Sequence, residues 1–328
     1  GTVSLTGAGA TFPYPLYTKW TSEFGKAHPD VKINYQSIGS GGGIRQFTEG
    51  TVDFGATDGP MNQSQIAAVN GNVLHIPTVL GAVVVTYNLP SLRTTKLKFD
   101  GTLLVDIFMG RVTRWNDKRI AALNPGVKLP NMDLIVVHRS DGSGTTYVFT
   151  DFLNKFSREW RDKVGYATSV DWPVGLGGKG NEGVTQQVKQ VEGAVGYVEL
   201  IYALSNGLPY GVVKNAAGRF VEPSLESVTA AAAGARLKPD TDFRVSITNP
   251  EGAAAYPIAS FTWLLVHKDT RDGNKAKLIK DFLTWMITPE AQAMAAKLEY
   301  APLPGEVVSL IEARLPTLKA GGKAIASQ

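Results

Sequence analysis

Cysteine is absent from the 328 residues, and histidine occurs only four times. Without cysteine the chain forms no disulfide, holds no metal through thiolates and has no cysteine nucleophile. His28, His75, His138 and His267 show no H-E-x-x-H or other metal-ligand spacing. We therefore expect no metal site. The last three histidines lie in or at the ends of predicted strands and are expected to be structural.

Long apolar runs and blocks of like charge are also missing. The longest apolar runs, Ala82–Val85 and Trp263–Val266, have the length of strands, far short of the roughly 20 residues of a membrane span. The net charge is +4, and Lys and Arg are scattered rather than gathered in the basic stripe of a nucleic-acid-binding protein. Because the sequence begins with glycine, we expect a mature or trimmed form from which the signal peptide is absent.

Two common catalytic motifs fail on spacing. Lys179 is followed by Gly180 rather than by serine or threonine, so no nucleotide-binding P-loop is present. Ser143 has Asp141 where the G-x-S-x-G elbow of a hydrolase requires glycine. No general base or metal cluster accompanies the serine, so the sequence gives little support to an enzyme.

Glycine, by contrast, is abundant at 35 residues, and one glycine-rich segment stands out. Residues 137–152, VHRSDGSGTTYVFTDF, predict a strand, a tight loop and a helix in which Ser143 is the N-cap. The free N–H groups of the first turn, the hydroxyls of Ser143 and Thr145, and the charge of Arg139 form a donor-rich surface for a tetrahedral oxyanion. An ordinary capped strand–turn–helix is the alternative.

The same order of strand, glycine-rich turn, hydroxyl and helix occurs twice more. Gly7-Ala8-Gly9 precedes Thr11, which we expect to cap a helix that has Pro13 in its early positions. Ser40 stands in the run GSGGG, which precedes a helix through Ile44 and Phe47. Three such turns favour an anion site more strongly than one does.

Asp58 adds information about which anion would fit. It follows a short predicted strand, Thr51–Ala56, and its alternative role is that of a turn residue. A carboxylate in an anion site is repulsive unless the ligand carries a proton to donate. Phosphate keeps one or two protons near neutral pH and sulfate keeps none, so Asp58 favours phosphate. Asp141 is expected either to orient Arg139 or to serve the turn.

Two long β-rich runs predict the domain organisation. Val73–Tyr87 and Tyr256–His267 are each long enough to pass from one domain to another. Two crossings would form a hinge, with the first and last parts of the chain in one lobe and a ligand cleft between the lobes. Elsewhere we expect a flexible loop at Gly175–Gly183, a helix over Val184–Val191 and a fraying tail after Lys319.

Seven blocks spread over nearly the whole chain are GAGATFPYPLYTKW, YQSIGSGGG, VDFGATDGP, DIFMGRVTRWND, HRSDGSGTTYVFTDFL, WPVGLGGKGNEG and GAVGYVE. These blocks resemble those of one family, in that family's order: the periplasmic phosphate-binding protein of the bacterial ABC-type phosphate transporter. Thr57 and Gly59 depart from the serine and alanine that are frequent in the family. Neither is a family ligand contact.

The resemblance implies an α/β fold of the type II, Venus-flytrap kind, with a central β-sheet flanked by helices in each of two lobes. Lobe I would comprise residues 1–78 and 258–328, and lobe II residues 79–257. Hinge crossings are expected near residues 76–82 and 254–260. The implied function is high-affinity binding of inorganic phosphate in the cleft, for delivery to a membrane ABC permease.

The resemblance further implies a periplasmic monomer without cofactor, metal or catalytic residues and without a nucleic-acid partner. Asp141 matches the residue that pairs with the binding arginine. The family's phosphate contacts fall on Thr11, Phe12 (through its backbone N–H), Ser40, Asp58, Arg139, Ser143, Gly144 and Thr145.

Alternatives to phosphate import stay open at this point. A receptor for another oxyanion, such as molybdate or sulfate, would have no proton to give to Asp58, whereas arsenate has the same shape and protons as phosphate. A phosphatase or phosphotransferase using Ser143 is the rival from another class. A phosphate scavenger without a permease would share the same site.

Overall fold

The computed structural model describes residues 2–325, which form two compact units. Unit 1 comprises the described residues up to Leu80, the segment Ala235–Ser246 and the described residues from Phe261 onward. Unit 2 comprises Gly81–Gly234 and Ile247–Ser260. The sequence led us to expect all of residues 79–257 in one lobe. The structure differs from this expectation in grouping residues 235–246 with unit 1.

The strands alternate with helices along most of the chain, as expected of an α/β fold. In chain order the strands are β1 (Val3–Gly9), β2 (Val31–Ser37), β3 (Phe54–Thr57), β4 (Leu74–Tyr87), β5 (Lys98–Phe99), β6 (Ile135–Arg139), β7 (Leu176–Gly178), β8 (Ala194–Glu199), β9 (Val212–Lys214), β10 (Phe220–Val221), β11 (Ala259–Val266), β12 (Asp269–Thr270), β13 (Lys319–Ala320) and β14 (Lys323–Ala324).

The helices are mostly short, and short 3₁₀ turns lie at Pro90–Leu92 and Leu315–Thr317. No helix within residues 2–325 combines the length and apolar character needed to cross a membrane. In chain order the helices are α1 (Tyr14–Ala27), α2 (Ser40–Glu49), α3 (Gln63–Ala68), α4 (Gly101–Phe108), α5 (Lys118–Leu123), α6 (Gly144–Asn154), α7 (Arg158–Lys163), α8 (Gly180–Gln190), α9 (Leu200–Ser205), α10 (Leu225–Ala232), α11 (Gly273–Met286), α12 (Pro289–Lys297) and α13 (Gly305–Arg314).

In unit 1 the strand order is β2-β1-β3-β11-β4, where β4 contributes residues 74–80. β1 runs parallel to both β2 and β3, and β11 runs antiparallel to β3. Phe24 of α1 packs edge-on against Phe282 of α11, with ring centroids 5.3 Å apart. The parallel strands β1, β2 and β3 thus bring their carboxyl ends to one edge of the sheet, where open α/β sheets bind ligands.

In unit 2 the second half of β4 begins the order β4-β8-β6-β7. β6 runs parallel to both β7 and β8, and β8 runs antiparallel to β4. Tyr197 of β8 stacks on Phe149 of α6 with ring centroids 4.5 Å apart, and Phe108 of α4 packs against both rings. This aromatic core fixes α6, whose first turn follows the end of β6.

The segment Ala235–Ser246 is fastened to unit 1 by several hydrogen bonds. Asp242 accepts from the backbone N–H and from Nδ1 of His75, both at 2.9 Å. Arg244 donates to the Met61 carbonyl (3.1 Å), and the Trp263 indole donates to the Phe243 carbonyl (2.9 Å). These contacts explain why the segment belongs to unit 1. The grouping was not predicted, because such contacts cannot be inferred from a local sequence pattern.

His75 is fully buried within this contact, and its burial favours the neutral ring. Its Nε2 accepts from the Met61 backbone N–H (3.1 Å), so the ring proton resides on Nδ1 and points at Asp242. Burial lowers the pKa of His75 below its ordinary value of 6.5, against the opposing attraction of Asp242. The structural role expected for this histidine is confirmed.

Several local expectations were wrong. Residues 175–183 are not a flexible loop: they contain β7, and α8 begins at Gly180 rather than at Val184. A side chain at Gly178 would lie 2.7 Å from the backbone of Gly183 and Val184, so the glycine permits close packing of strand and helix. The tail after Lys319 forms β13 and β14, and β13 pairs with β12, while residues 326–328 lie outside the described part.

Candidate anion-binding site

Four predicted site residues of unit 1 meet at one edge of its sheet. Thr11 and Phe12 follow β1, Ser40 opens α2 and Asp58 follows β3. Gly9 at the end of β1 pairs with Ser37 of β2 and Ala56 of β3, which brings the three loops together. All four residues are buried.

The first turn of α2 reaches this edge only because Gly43 has no side chain. A Cβ there would lie 2.5 Å from the Gly9 Cα and 2.8 Å from the Ala56 carbonyl oxygen. The helix begins at Ser40, earlier than the sequence suggested, with Gly39 as its N-cap residue in a left-handed conformation (φ 93°). The glycine run therefore serves to press the helix N-terminus against the strand ends.

Asp58 is bonded on two sides by unit 1. Its backbone N–H donates to the Ser40 Oγ (3.1 Å), and its Oδ1 accepts from the Thr262 hydroxyl (2.7 Å). Thr262 lies on β11, which is paired to β3 next to Asp58. The carboxylate, only 1% exposed, is thereby oriented by a residue that sequence reasoning missed.

The loop that carries Thr11 and Phe12 is fixed through its carbonyl groups. The hydroxyl of Tyr35 donates to the Ala10 carbonyl and that of Tyr300 to the Phe12 carbonyl, both at 2.6 Å. Thr11 is not the N-cap of α1: the capping position is Pro13, which makes no side-chain cap. That prediction was wrong because the chain makes a further turn, closed by Tyr14 N–H to the Thr11 carbonyl (3.2 Å).

In unit 2, Arg139 is the last residue of β6, and its side chain forms two hydrogen bonds with Asp141. Arg139 Nε donates to Oδ1 of Asp141 (2.7 Å), and its Nη2 donates to Oδ2 (2.8 Å). Burial alone would raise the pKa of Asp141, but the hydrogen bonds and charge of Arg139 outweigh it and hold that pKa below its ordinary value. Asp141 therefore orients the arginine, the first of the two roles considered for it.

One guanidinium nitrogen of Arg139 is not bonded to Asp141. The Arg139 side chain is 1% exposed, and its Nη1 has no hydrogen-bond partner among the described residues. Buried donors are almost always paired, and an unpaired charged one is costly. The geometry calls for an acceptor, and an anion suits it best.

The first turn of α6 supplies the remaining predicted residues. Ser143 is the N-cap, as predicted, and its Oγ accepts from the Thr146 backbone N–H (2.9 Å). Gly144 and Thr145 follow as the first helical residues, and both are buried. Arg139, Asp141, Ser143, Gly144 and Thr145 thus lie on one short stretch between β6 and α6.

Three site hydroxyls share one feature: each accepts a hydrogen bond from a protein N–H. Ser40 accepts from Asp58 N, Ser143 from Thr146 N, and Thr145 from Asn181 Nδ2 (3.1 Å). A hydroxyl has a single hydrogen, which is then left to be donated elsewhere. The hydroxyls are therefore set as donors, which suits an oxyanion that mainly accepts.

Two further residues of unit 2 support this turn and were not predicted. The Tyr197 hydroxyl accepts from the Arg139 backbone N–H (3.0 Å) and contacts the Thr146 hydroxyl (2.6 Å). Asn181, near the start of α8, contacts Thr145. The only sequence signal for Asn181 was its place in the block WPVGLGGKGNEG. Within residues 2–325 no cluster of His, Asp or Glu could hold a metal ion.

Comparison with known proteins shows which family this chain belongs to. A sequence model described as "PBP superfamily domain" matches residues 1–290. "Phosphate-binding protein PstS" of Xylella fastidiosa (strain 9a5c) is 46% identical over 311 residues, covering 95% of this chain and 84% of that protein. The chain belongs to the PBP superfamily and, within it, to the family of phosphate-binding protein PstS.

One further relative and one solved structure extend the agreement, the first in sequence and the second in fold. PstS of Haemophilus influenzae is 44% identical over 314 residues, covering 96% of this chain and 93% of that protein. A solved "high affinity periplasmic phosphate-binding protein (PfluDING) bound with phosphate" matches with a TM-score of 0.77 and 22% identity, covering 95% of this chain and 93% of that one. The family and the α/β fold expected from the sequence are confirmed.

Proposed function

We propose that this protein binds inorganic phosphate with high affinity and delivers it to the membrane permease of an ABC transporter. It would act as a periplasmic monomer, without cofactor and without turning the ligand over. Flexing would occur at the hinge crossings predicted near residues 76–82 and 254–260. The proposed contacts are Thr11, Phe12, Ser40, Asp58, Arg139, Ser143, Gly144 and Thr145.

The observation that carries the proposal is Arg139 Nη1. It is a buried cationic donor without a partner among the described residues, on a guanidinium already aligned by Asp141. A phosphate oxygen would satisfy it with a charge-assisted hydrogen bond. Such bonds contribute about 1.5–3 kcal/mol each, so the arginine favours an anion over water.

The hydroxyls of Ser40, Ser143 and Thr145, which are set as hydrogen-bond donors, support the same ligand. Each hydroxyl accepts from an N–H and has its own hydrogen left for an anion oxygen. The free N–H groups and positive dipole end of α6 add to the attraction. The names of the family's members point to phosphate as well.

Asp58 supports phosphate over sulfate. An ionised carboxylate accepts a hydrogen bond from a protonated phosphate oxygen, whereas fully deprotonated sulfate would meet it as a like charge. Thr262 donates to Oδ1 of Asp58 (2.7 Å) and so holds the carboxylate in one orientation. The carboxylate would thus act as a specificity determinant.

Calorimetric titration of ligand-stripped protein with phosphate, and then with sulfate, tests the proposal. We expect tight phosphate binding and negligible sulfate binding. Asp58→Asn should weaken phosphate binding at least about tenfold and narrow the preference over sulfate, since it replaces the charged carboxylate acceptor with a neutral amide. Asp53→Asn is a matched control, because Asp53 bonds the Thr6 N–H and Lys275 instead.

Other outcomes would lead to different conclusions. Equal binding of both anions, or of neither, would contradict the assignment of phosphate. Release of phosphate from an added phosphate ester, lost in Ser143→Ala, would favour the enzyme alternative. Phosphate binding without stimulation of uptake by vesicles containing the permease would favour a scavenger.

A further inference from the structure

The Thr145 hydroxyl is set as a donor in a different way from the hydroxyls of Ser40 and Ser143. Ser40 and Ser143 accept from backbone N–H groups, which no substitution of a side chain removes. Thr145 accepts instead from the side-chain amide of Asn181, 36 positions further along the chain. The direction of the Thr145 hydroxyl therefore depends on one other side chain.

The Asn181 amide is itself held in one orientation. Its Oδ1 accepts from the Glu199 backbone N–H (2.9 Å), which leaves Nδ2 facing the Thr145 Oγ1 (3.1 Å). The reversed amide would set an NH₂ group against the Glu199 N–H and an oxygen against Thr145. Asn181 is 0% exposed, so bulk water offers no substitute for either bond.

We infer that Asn181 is a positioning residue for the anion: it keeps the Thr145 hydroxyl hydrogen turned toward the ligand. The inference rests on the proposed function, because the hydrogen needs an acceptor. Without the amide, the hydroxyl would rotate among several directions, and binding would have to restrict it. With a carboxylate in place of the amide, the hydroxyl would donate to that carboxylate instead.

The position of Asn181 also explains how α8 serves the site. In the same turn of α8, the Gly180 N–H donates to Oδ1 of Asp141 (3.2 Å). The start of α8 thus supports the partner of Arg139 through its backbone and Thr145 through a side chain. The helix contributes orientation to the site and does not need to touch the ligand.

A double-mutant cycle between positions 181 and 145 tests the inference by titration with inorganic phosphate. Asn181→Ala should weaken binding about fivefold to twentyfold when Thr145 is present and less than about twofold in Thr145→Val, which has no hydroxyl to turn. Asn124→Ala is the structural control. It also removes a buried amide of unit 2, which bonds Lys98 and Ile120, and should leave the affinity unchanged.

Equal losses in both backgrounds, or no loss in either, would overturn the inference. If Asn181→Ala does not fold, Asn181→Asp keeps the shape of the side chain and repeats the cycle. Its loss should be larger with Thr145 present than in the Thr145→Val background, because only the hydroxyl can be drawn away from the ligand. Absence of phosphate binding by the unsubstituted protein would instead refute the proposed function.

Discussion

At the scale of single residues, the site depends on which atoms donate and which accept. The Thr262 hydroxyl donates its hydrogen to Asp58 Oδ1, and the Asp58 N–H donates to Ser40. A carboxylate and a hydroxyl of the proposed site are therefore oriented by bonds that the ligand does not make. Such prior orientation lowers the free-energy cost of binding.

Thr262→Val tests this orientation without a change of size. We expect phosphate affinity to fall about tenfold, because the Asp58 carboxylate would no longer be held in one orientation before the ligand binds. Calorimetric titration measures the loss. Thr48→Val is the control, because the Thr48 hydroxyl donates to the Ile44 carbonyl of its own helix (2.8 Å) rather than to a residue of the proposed site. Equal affinities of the two variants would contradict the role given to Thr262.

Sequence reasoning reached the residues whose chemistry is local. Ser143 as a cap and Asp141 beside Arg139 follow from positions within a few residues of each other. Thr262 lies 204 residues from Asp58, and only the pairing of β11 with β3 brings them together. No local pattern carries that information.

At the scale of elements, glycine decides how closely helices approach strands. The α2 glycine at position 43 lies against the backbone of β1 and β3, where any Cβ would collide. A side chain there would push the N-terminus of α2 away from the sheet edge and shift Ser40 with it.

Gly43→Ala should therefore reduce both stability and phosphate binding. We expect a loss of at least about 2 kcal/mol in the free energy of unfolding, because the backbone must move to admit the methyl group. Gly25→Ala is the matched control in α1, where nothing lies within 4 Å of the added carbon. It should raise stability by about 0.5–1 kcal/mol. Urea unfolding distinguishes the two, and equal effects would refute the packing argument.

The sequence located poorly the starts of two helices whose first turns are rich in glycine. α2 and α8 begin about four residues earlier than their apolar pattern suggests. Glycine is a poor helix former, so tertiary packing rather than propensity extends these helices to the site.

At the scale of the whole molecule, the segment Ala235–Ser246 depends on a contact that acid should weaken. Burial lowers the pKa of His75 below its ordinary value of 6.5. Below pH 6.5 the unfolded chain therefore binds a proton that the folded chain does not bind. Stability should then fall as the pH drops below 6.5. The pKa of Asp242 is also lowered, by His75 and Arg244 against its burial, and its contribution is lost at still lower pH.

His75→Gln should flatten this dependence. Between pH 6.5 and 5 we expect the unsubstituted protein to lose up to about 1.4 kcal/mol per pH unit through this group, and the variant to lose less. Urea midpoints measured across that range at constant ionic strength provide the comparison. Parallel pH profiles would show that His75 does not govern acid sensitivity.

The division of the chain could be predicted only in outline. β4 and β11 were recognised by their length as strands that leave one unit for the other. The return of residues 235–246 to unit 1 was missed, since Asp242 and Phe243 are recognisable as anchors only once His75 and Trp263 are in place. Side-chain pairs that distant in sequence leave no periodic signal.

The interrupted course of unit 1 has a consequence for biosynthesis. Unit 2 is complete once residue 260 has been made, whereas unit 1 still lacks β11 and the helices α11 to α13. Synthesis proceeds at about 5–20 residues per second, so the 204 residues from Asp58 to Thr262 take on the order of 10–40 s. Throughout that time β3 has no partner on the side that β11 will cover. The uncovered edge of β3 is therefore exposed to aggregation until β11 has been made.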